Sequence, residues 1–340
     1  MPRIHLKVKK VLIVLLTISL VLWILSFRED VGKPTYGVSF SRFHSDELEL
    51  DWKKVYLAML DDLGVKNFRF SAHWPNTEPE DDKFNFSELD FQMDEAKKRG
   101  TSVILAVGRR LPGWPECHEP EWTRTKNEKL KAENKKIDFN KEELLEYIEV
   151  VVNRYKNYPN LKYWQVENEP FLTFFSRSAC GALDKKFLDE EIKFVKNLDP
   201  TRQILITDSG EFGNWFQAYR RGDVFGTSLY LYIWNQKIGP FRYPITPAFF
   251  RIKRNITELF LGKKPSMIIE LEAEPWLLQA IKDAPIDVQF ERMGLDKLES
   301  MINFAGKTGF DTQYLWGAEW WYWLKEKGHP EIWEKAKEIF

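Results

Sequence analysis

Asn168-Glu169-Pro170 follows an apolar run, Tyr163–Val166, and Glu270 stands at the end of another, Met267–Ile269. Proline cannot continue a central strand ladder, so the first run stops at Glu169. A carboxylate at the mouth of a buried strand is costly to desolvate and needs a partner or a task. A surface Glu in a β-turn is the plain alternative. The sharper reading pairs Glu169 with Glu270. Two carboxyls, one protonated and one ionised, can cleave a glycosidic bond: the acid supports the departing oxygen while the carboxylate attacks the sugar carbon. Their surroundings must split their pKa values for both forms to coexist near neutral pH.

Other chemistry-bearing residues lie just past similar apolar runs. Arg69 sits in Phe68-Arg69-Phe70-Ser71, with Trp74 shortly after, and Arg109-Arg110 follow Ser102–Val107. Tyr230 and Tyr232 follow Val224–Leu229, Trp276 follows Glu272 and Glu274, and Trp316 ends the last run. Glu270, Glu272 and Glu274 alternate, so on a continuing strand all three point the same way, and Glu272 competes with Glu270. Tyr232 competes with Tyr230 for the same reason. Arg109 and Arg110 suit an ion pair with a neighbouring Glu, or contact with an anionic sugar.

These residues need a scaffold that brings strand ends together. Eight apolar runs read as strands: Tyr36–Ser41, Asn67–Ser71, Ser102–Val107, Leu161–Val166, Gln203–Thr207, Val224–Tyr230, Ser266–Leu271 and Thr312–Trp316. Apolar residues occupy both faces, as in parallel strands covered on two sides. Amphipathic stretches alternate with them, such as Trp52–Leu63 and Glu143–Tyr155. The pattern predicts an α/β fold, a (β/α)8 TIM barrel over residues 31–340, with its chemistry at the C-terminal ends of the strands. An open doubly wound sheet is the rival, but no Gly-x-Gly-x-x-Gly follows the first strand.

With this order of motifs the chain resembles the clan A glycoside hydrolases, the retaining TIM-barrel enzymes, from about Tyr36 to the C-terminus. The resemblance rests on Asn168-Glu169-Pro170, on Lys264–Leu271, and on Arg69 followed by Trp74, Glu78-Pro79 and Phe84-Asn85-Phe86. It implies that Glu169 is the acid/base, Glu270 the nucleophile, and Asn168 the binder of the hydroxyl beside the reacting carbon. It further implies that Arg69 holds the nucleophile ionised, Tyr230 donates to it, and Trp316 floors the sugar site. Trp74 and Trp276, with Trp114, would bind further sugar units at the rim. The Glu-Pro-Trp after Glu272 departs from the usual aromatic-Gly ending. No cofactor is implied.

Composition bounds the rest. A net charge of -1 over 340 residues disfavours a nucleic-acid partner. The five His are scattered without metal-ligand spacing. Cys117 and Cys180 fall in loops on the same expected face, where they could pair. Residues 1–30 read as a basic stub and a transmembrane anchor, since Arg3, Lys7, Lys9 and Lys10 precede the uncharged Val11–Phe27. The expectation is a monomeric, membrane-anchored enzyme facing outward, acting on a carbohydrate. A transglycosidase using the same two Glu is one alternative, and a catalytically silent glycan-binding barrel is another.

Overall fold

The structure, a computed structural model, describes residues 2–27, 32–132, 141–175 and 177–340. Eight parallel strands close into a barrel: β1 (Thr35–Ser39), β2 (Asn67–Ser71), β3 (Ser102–Val107), β4 (Leu161–Val166), β5 (Gln203–Asp208), β6 (Val224–Leu229), β9 (Ser266–Glu272) and β10 (Thr312–Trp316). The strands β7 (Tyr232–Asn235) and β8 (Gly239–Arg242) form an antiparallel hairpin in the loop after β6. The barrel order is β1-β10-β9-β6-β5-β4-β3-β2, closed by the β1–β2 pairing. All eight expected strands are present, each within two residues of the expected ends.

The barrel has two apolar layers. Inside its lower half, Ile104, Leu205, Val224, Met267, Ile269 and Tyr314 pack together and are sealed from solvent. Outside, Ile268, Leu271, Leu315 and Val166 face the helices in a larger core. Residues Met267, Ile268 and Ile269 thus alternate in, out, in along β9, and strict alternation would turn Glu270 outward. The strand avoids this with a bulge. Thr227 and Ser228 are consecutive on β6 yet pair with Ile268 and Glu270, and Gln313 and Leu315 on β10 pair with Ile268 and Leu271. One extra residue on β9 lets Glu270 follow Ile269 into the barrel.

The expected anchor lies in the N-terminal segment. The segment folds as a helix, Pro2–Ser26, but among the described residues no helix is long and apolar enough to cross a membrane. Its uncharged part, residues 11–26, spans about 24 Å at 1.5 Å per residue, short of a hydrocarbon core of about 30 Å. Side chains such as Leu12, Leu16 and Trp23 are exposed. The end of the helix is tied to the helix Pro247–Leu261, where Asn255 Nδ2 donates to the Leu25 carbonyl (2.7 Å) and the Phe27 carbonyl (2.9 Å). The expected anchor boundary at residue 30 lies outside the described residues. The basic stretch that begins at Arg124 forms part of the helix Glu121–Ala132, and residues 133–136 also lie outside the described residues.

Candidate active site

Arg69 organises the mouth of the barrel. It leaves β2 pointing inward, 1% exposed, and spends its planar fork on four acceptors, Ser39 Oγ (3.5 Å) among them. Nη1 donates to Glu270 Oε1 (2.5 Å), Nε to Gln165 Oε1 (2.8 Å) and Nη2 to Asn168 Oδ1 (2.7 Å). One guanidinium therefore ties β2, β4 and β9 together. Tyr230, just past β6, donates its hydroxyl to Glu270 Oε2 (3.2 Å). Glu270 thus meets a full positive charge on one oxygen and a phenol on the other.

Glu169 reaches the mouth by a different device. After β4 the chain carries two left-handed residues in quick succession, Glu167 (φ 57°) and Glu169 (φ 42°). Such conformations are uncommon without glycine and persist where surrounding bonds enforce them. Here the bonds are visible. Glu167 accepts from the backbone N–H groups of Arg109 and Arg110, both at 2.7 Å. Gly108 makes room for this, because a Cβ there would lie 2.4 Å from Glu167 Oε1. The Glu169 N–H donates to Thr207 Oγ1 (2.8 Å), whose own hydroxyl donates to Asn168 Oδ1 (3.2 Å).

The two carboxyls end in opposite surroundings. Glu169 is buried, and its Oε1 has no hydrogen-bond partner. Burial, and next the nearby charge of Glu270, push the Glu169 carboxyl well above its ordinary value. Its neighbour Glu270 is paired with an arginine instead. Such unequal surroundings are what a two-carboxyl mechanism requires.

The other alternating glutamates have different work. Glu272 accepts the backbone N–H groups of Leu231 (2.7 Å) and Tyr232 (2.9 Å), fixing the entry to the β7–β8 hairpin. Burial pushes its carboxyl up to about 8. Glu274 accepts from Trp316 Nε1 (2.7 Å) and pairs with His44 Nε2 (2.6 Å). Burial alone would lower the His44 pKa, but Glu274 and Glu47 together raise it well above its ordinary value. Trp316 lies over the His44 ring at 6.1 Å. Tyr232 sits in the hairpin and its hydroxyl faces Ser300, away from the mouth.

Among the expected rim tryptophans, Trp276 is half-buried against Tyr230 (5.6 Å) and Phe175 (5.8 Å), and Trp114 lies exposed at the edge of Phe175. Trp74 is not at the rim. It is wholly buried, stacks on Tyr147, and donates Nε1 to Glu78 (2.7 Å), so no sugar can reach its face. Arg109 pairs with Glu119 (2.8 Å), and Arg110 lies 3.9 Å from Glu116. Trp320, Trp321 and Trp333 are core, each with its indole N–H bonded inside the protein. Cys117 and Cys180 form a disulfide that joins the loops after β3 and β4. Among the described residues, the acidic group that comes closest to a metal-ligand arrangement is Glu78, Asp81 and Asp82, away from this site.

Sequence reasoning did not single out His44, Gln165, Thr207 or Glu116. Gln165 had a signal: a polar side chain inside an apolar strand, two residues before Glu167. His44 had none, since its partner Glu274 is 230 positions away.

The sequence signature of the glycoside hydrolase family 42 β-galactosidases (Glyco_hydro_42) matches residues 43–242. A curated relative, the β-galactosidase Pbg of Clostridium perfringens, is 31% identical over 124 residues, which make up 34% of this chain and 17% of that protein. The chain thus matches only a small part of that relative's length. Among solved structures, the β-galactosidase of the Antarctic haloarchaeon Halorubrum lacusprofundi superposes with a TM-score of 0.55 at 16% identity, covering 83% of this chain and 52% of the other. The GH5_18 protein of Bifidobacterium longum subsp. longum gives 0.58 at 14% identity, covering 84% and 70%. At such identities the structural likeness speaks to the barrel fold.

Proposed function

Because this chain belongs to glycoside hydrolase family 42, the β-galactosidase family of clan A, we propose that it cleaves β-linked oligo- or polysaccharides, β-galactosides foremost, by double displacement with retention. The observation that carries this reading is the unequal pair at the mouth. Glu270 is charge-matched by Arg69 and hydrogen-bonded by Tyr230, while Glu169 is buried with its Oε1 unbonded.

In the first step Glu169 gives its proton to the glycosidic oxygen as that bond breaks, and a Glu270 oxygen bonds to the sugar carbon. Glu169, now ionised, then takes a proton from water. That water displaces Glu270 and restores both groups. Arg69 and Tyr230 keep the leaving Glu270 carboxylate stable as its bond to sugar breaks. Trp276 and Trp316 offer indole surface to the apolar face of a sugar ring. We place the barrel outside the cytoplasm, a reading supported by the Cys117–Cys180 disulfide, since such bonds persist in oxidising compartments.

The test is turnover of a panel of aryl β-glycosides and β-glucans by the full chain. Glu169→Gln and Glu270→Gln each abolish it, and azide restores turnover to Glu270→Gly. Rescue of Glu272→Gly instead would move the nucleophile two residues along β9. Glycan binding with no turnover, unchanged by these substitutions, would favour the silent barrel.

A further inference from the structure

A third carboxyl faces the pair, and the mechanism above does not use it. Glu116 lies in the turn after β3, where its backbone is left-handed (φ 75°). The turn is closed by Leu111 N–H donating to the Glu116 carbonyl (2.8 Å) and Glu116 N–H donating to the Gly113 carbonyl (2.7 Å). The next residue, Cys117, is pinned by the disulfide to Cys180. The side chain is 13% exposed, and its charge interacts with Glu270 and Arg69. Burial, then the Glu270 charge, push its carboxyl up to about 8. An acidic side chain in an unfavourable backbone conformation, beside another carboxylate, costs the fold stability in two ways. Such costs concentrate where a ligand uses the group.

Its neighbours indicate what the ligand group is. Asn168 Oδ1 receives N–H from Arg69 (2.7 Å) and Gln165 (3.4 Å) and O–H from Thr207 (3.2 Å), so that atom is the oxygen and Nδ2 faces the other way. Nδ2 donates to Glu116 Oε2 over a long 3.4 Å. Arg110, 7% exposed, points Nε at the same oxygen from 3.9 Å, and that Nε has no hydrogen-bond partner. A donor and an acceptor therefore stand side by side, loosely bonded to each other, near enough to Glu169 and Glu270 for the Glu116 charge to act on both. A hydroxyl fits there: it accepts from Asn168 and donates to Glu116.

We propose that Glu116 is a specificity-determining residue, which accepts a hydrogen bond from a hydroxyl on the carbon adjacent to the reacting carbon and so selects 2-hydroxy glycosides over 2-deoxy ones. This rests on the glycosidase reading of the site. Glu116 and Asn168 together read the hydroxyl's proton and its lone pair. A 2-deoxy sugar leaves both groups without their ligand partner.

The experiment compares kcat/KM of the full chain for 4-nitrophenyl β-galactoside and its 2-deoxy analogue. In Glu116→Ala the 2-hydroxy substrate loses about tenfold or more, the effect of one hydrogen bond to an acidic group, while the 2-deoxy substrate stays within about twofold. Should Glu116→Ala fail to fold, Glu116→Leu, which fills the space without an acceptor, carries the test, and the 2-hydroxy to 2-deoxy ratio falls in it. Equal loss on both substrates would overturn the proposal, because a purely structural role for Glu116 does that. An unchanged ratio would overturn it too. Wild-type chain that turns over neither substrate would sink the glycosidase reading itself and this proposal with it.

Discussion

The mouth and the base of this barrel are built by the same strands on opposite principles. At the base, Ile104, Leu205, Val224, Met267 and Ile269 fill the interior with dry, interlocking side chains. One residue further along β9, Glu270 meets Arg69, and around it stand the buried Glu169 and Glu272 and the mostly buried Glu116, each pushed up in pKa by desolvation. The base gains stability from every methylene it buries. The mouth gives up stability to hold carboxyls out of water, and Arg69 and a few backbone N–H groups recover part of it. The contrast shows where selection for folding stops and selection for chemistry begins: at the bulge between Ile269 and Glu270.

That contrast can be broken first at Arg69. Arg69→Met removes a buried partner from Glu270, Gln165 and Asn168 at once. It should cost about 3–5 kcal/mol in urea unfolding and lower kcat/KM on aryl β-galactosides as well. A variant that lost activity but no stability would show that the mouth is not energetically tied together by this residue. Leu205→Ala sharpens the contrast from the other side. It should cost about 2–5 kcal/mol of stability while kcat of the folded fraction stays near wild type, since Leu205 packs in the base cluster. A matching loss of kcat would mean that base and mouth are coupled.

The strand pattern carried most of this architecture. β2, β3, β4 and β10 have the ends that their apolar runs dictate, because a parallel strand covered on two faces leaves a continuous apolar signal. The pairing of Arg69 with Glu270 was legible only through resemblance, since 201 positions separate them. The bulge on β9 was invisible: Met267-Ile268-Ile269 reads the same in or out of register. Trp74 was misplaced because an indole past a strand end looks alike on a rim or in a core; Glu78 four residues on was the overlooked acceptor. The hairpin β7–β8 escaped because its strands are four residues each, with little apolar run to mark them. The N-terminal helix was legible as a helix from its uncharged run.

A smaller effect tests the mouth's electrostatic cost. Glu272 and Glu116, pushed up to about 8, and Glu319 and Glu211, up to about 7, stay protonated in the fold where the unfolded chain ionises near 4.5. The folded state then binds more protons, so stability falls as pH rises from about 4.5 to 8. His44, raised by Glu274, adds in the same direction: its contribution is full below 6.5 and is lost as pH climbs through its folded value. His73, lowered by burial, works the other way and weakens the fold only below 6.5. Thermal melts should therefore show a higher Tm at pH 6.5 than at pH 8. Glu272→Gln, which stays neutral and keeps an acceptor for Leu231 and Tyr232, should flatten that slope. An unchanged slope would place the cost elsewhere.

Trapping the sugar on the enzyme tests the central assignment most directly. A 2,4-dinitrophenyl 2-deoxy-2-fluoro-β-galactoside forms its bond to the nucleophile quickly and releases it slowly, so the labelled residue can be read by peptide mass mapping. A stoichiometric label on Glu270 is the predicted result. A label on Glu272, or dinitrophenol release with inverted product and no label, would contradict it.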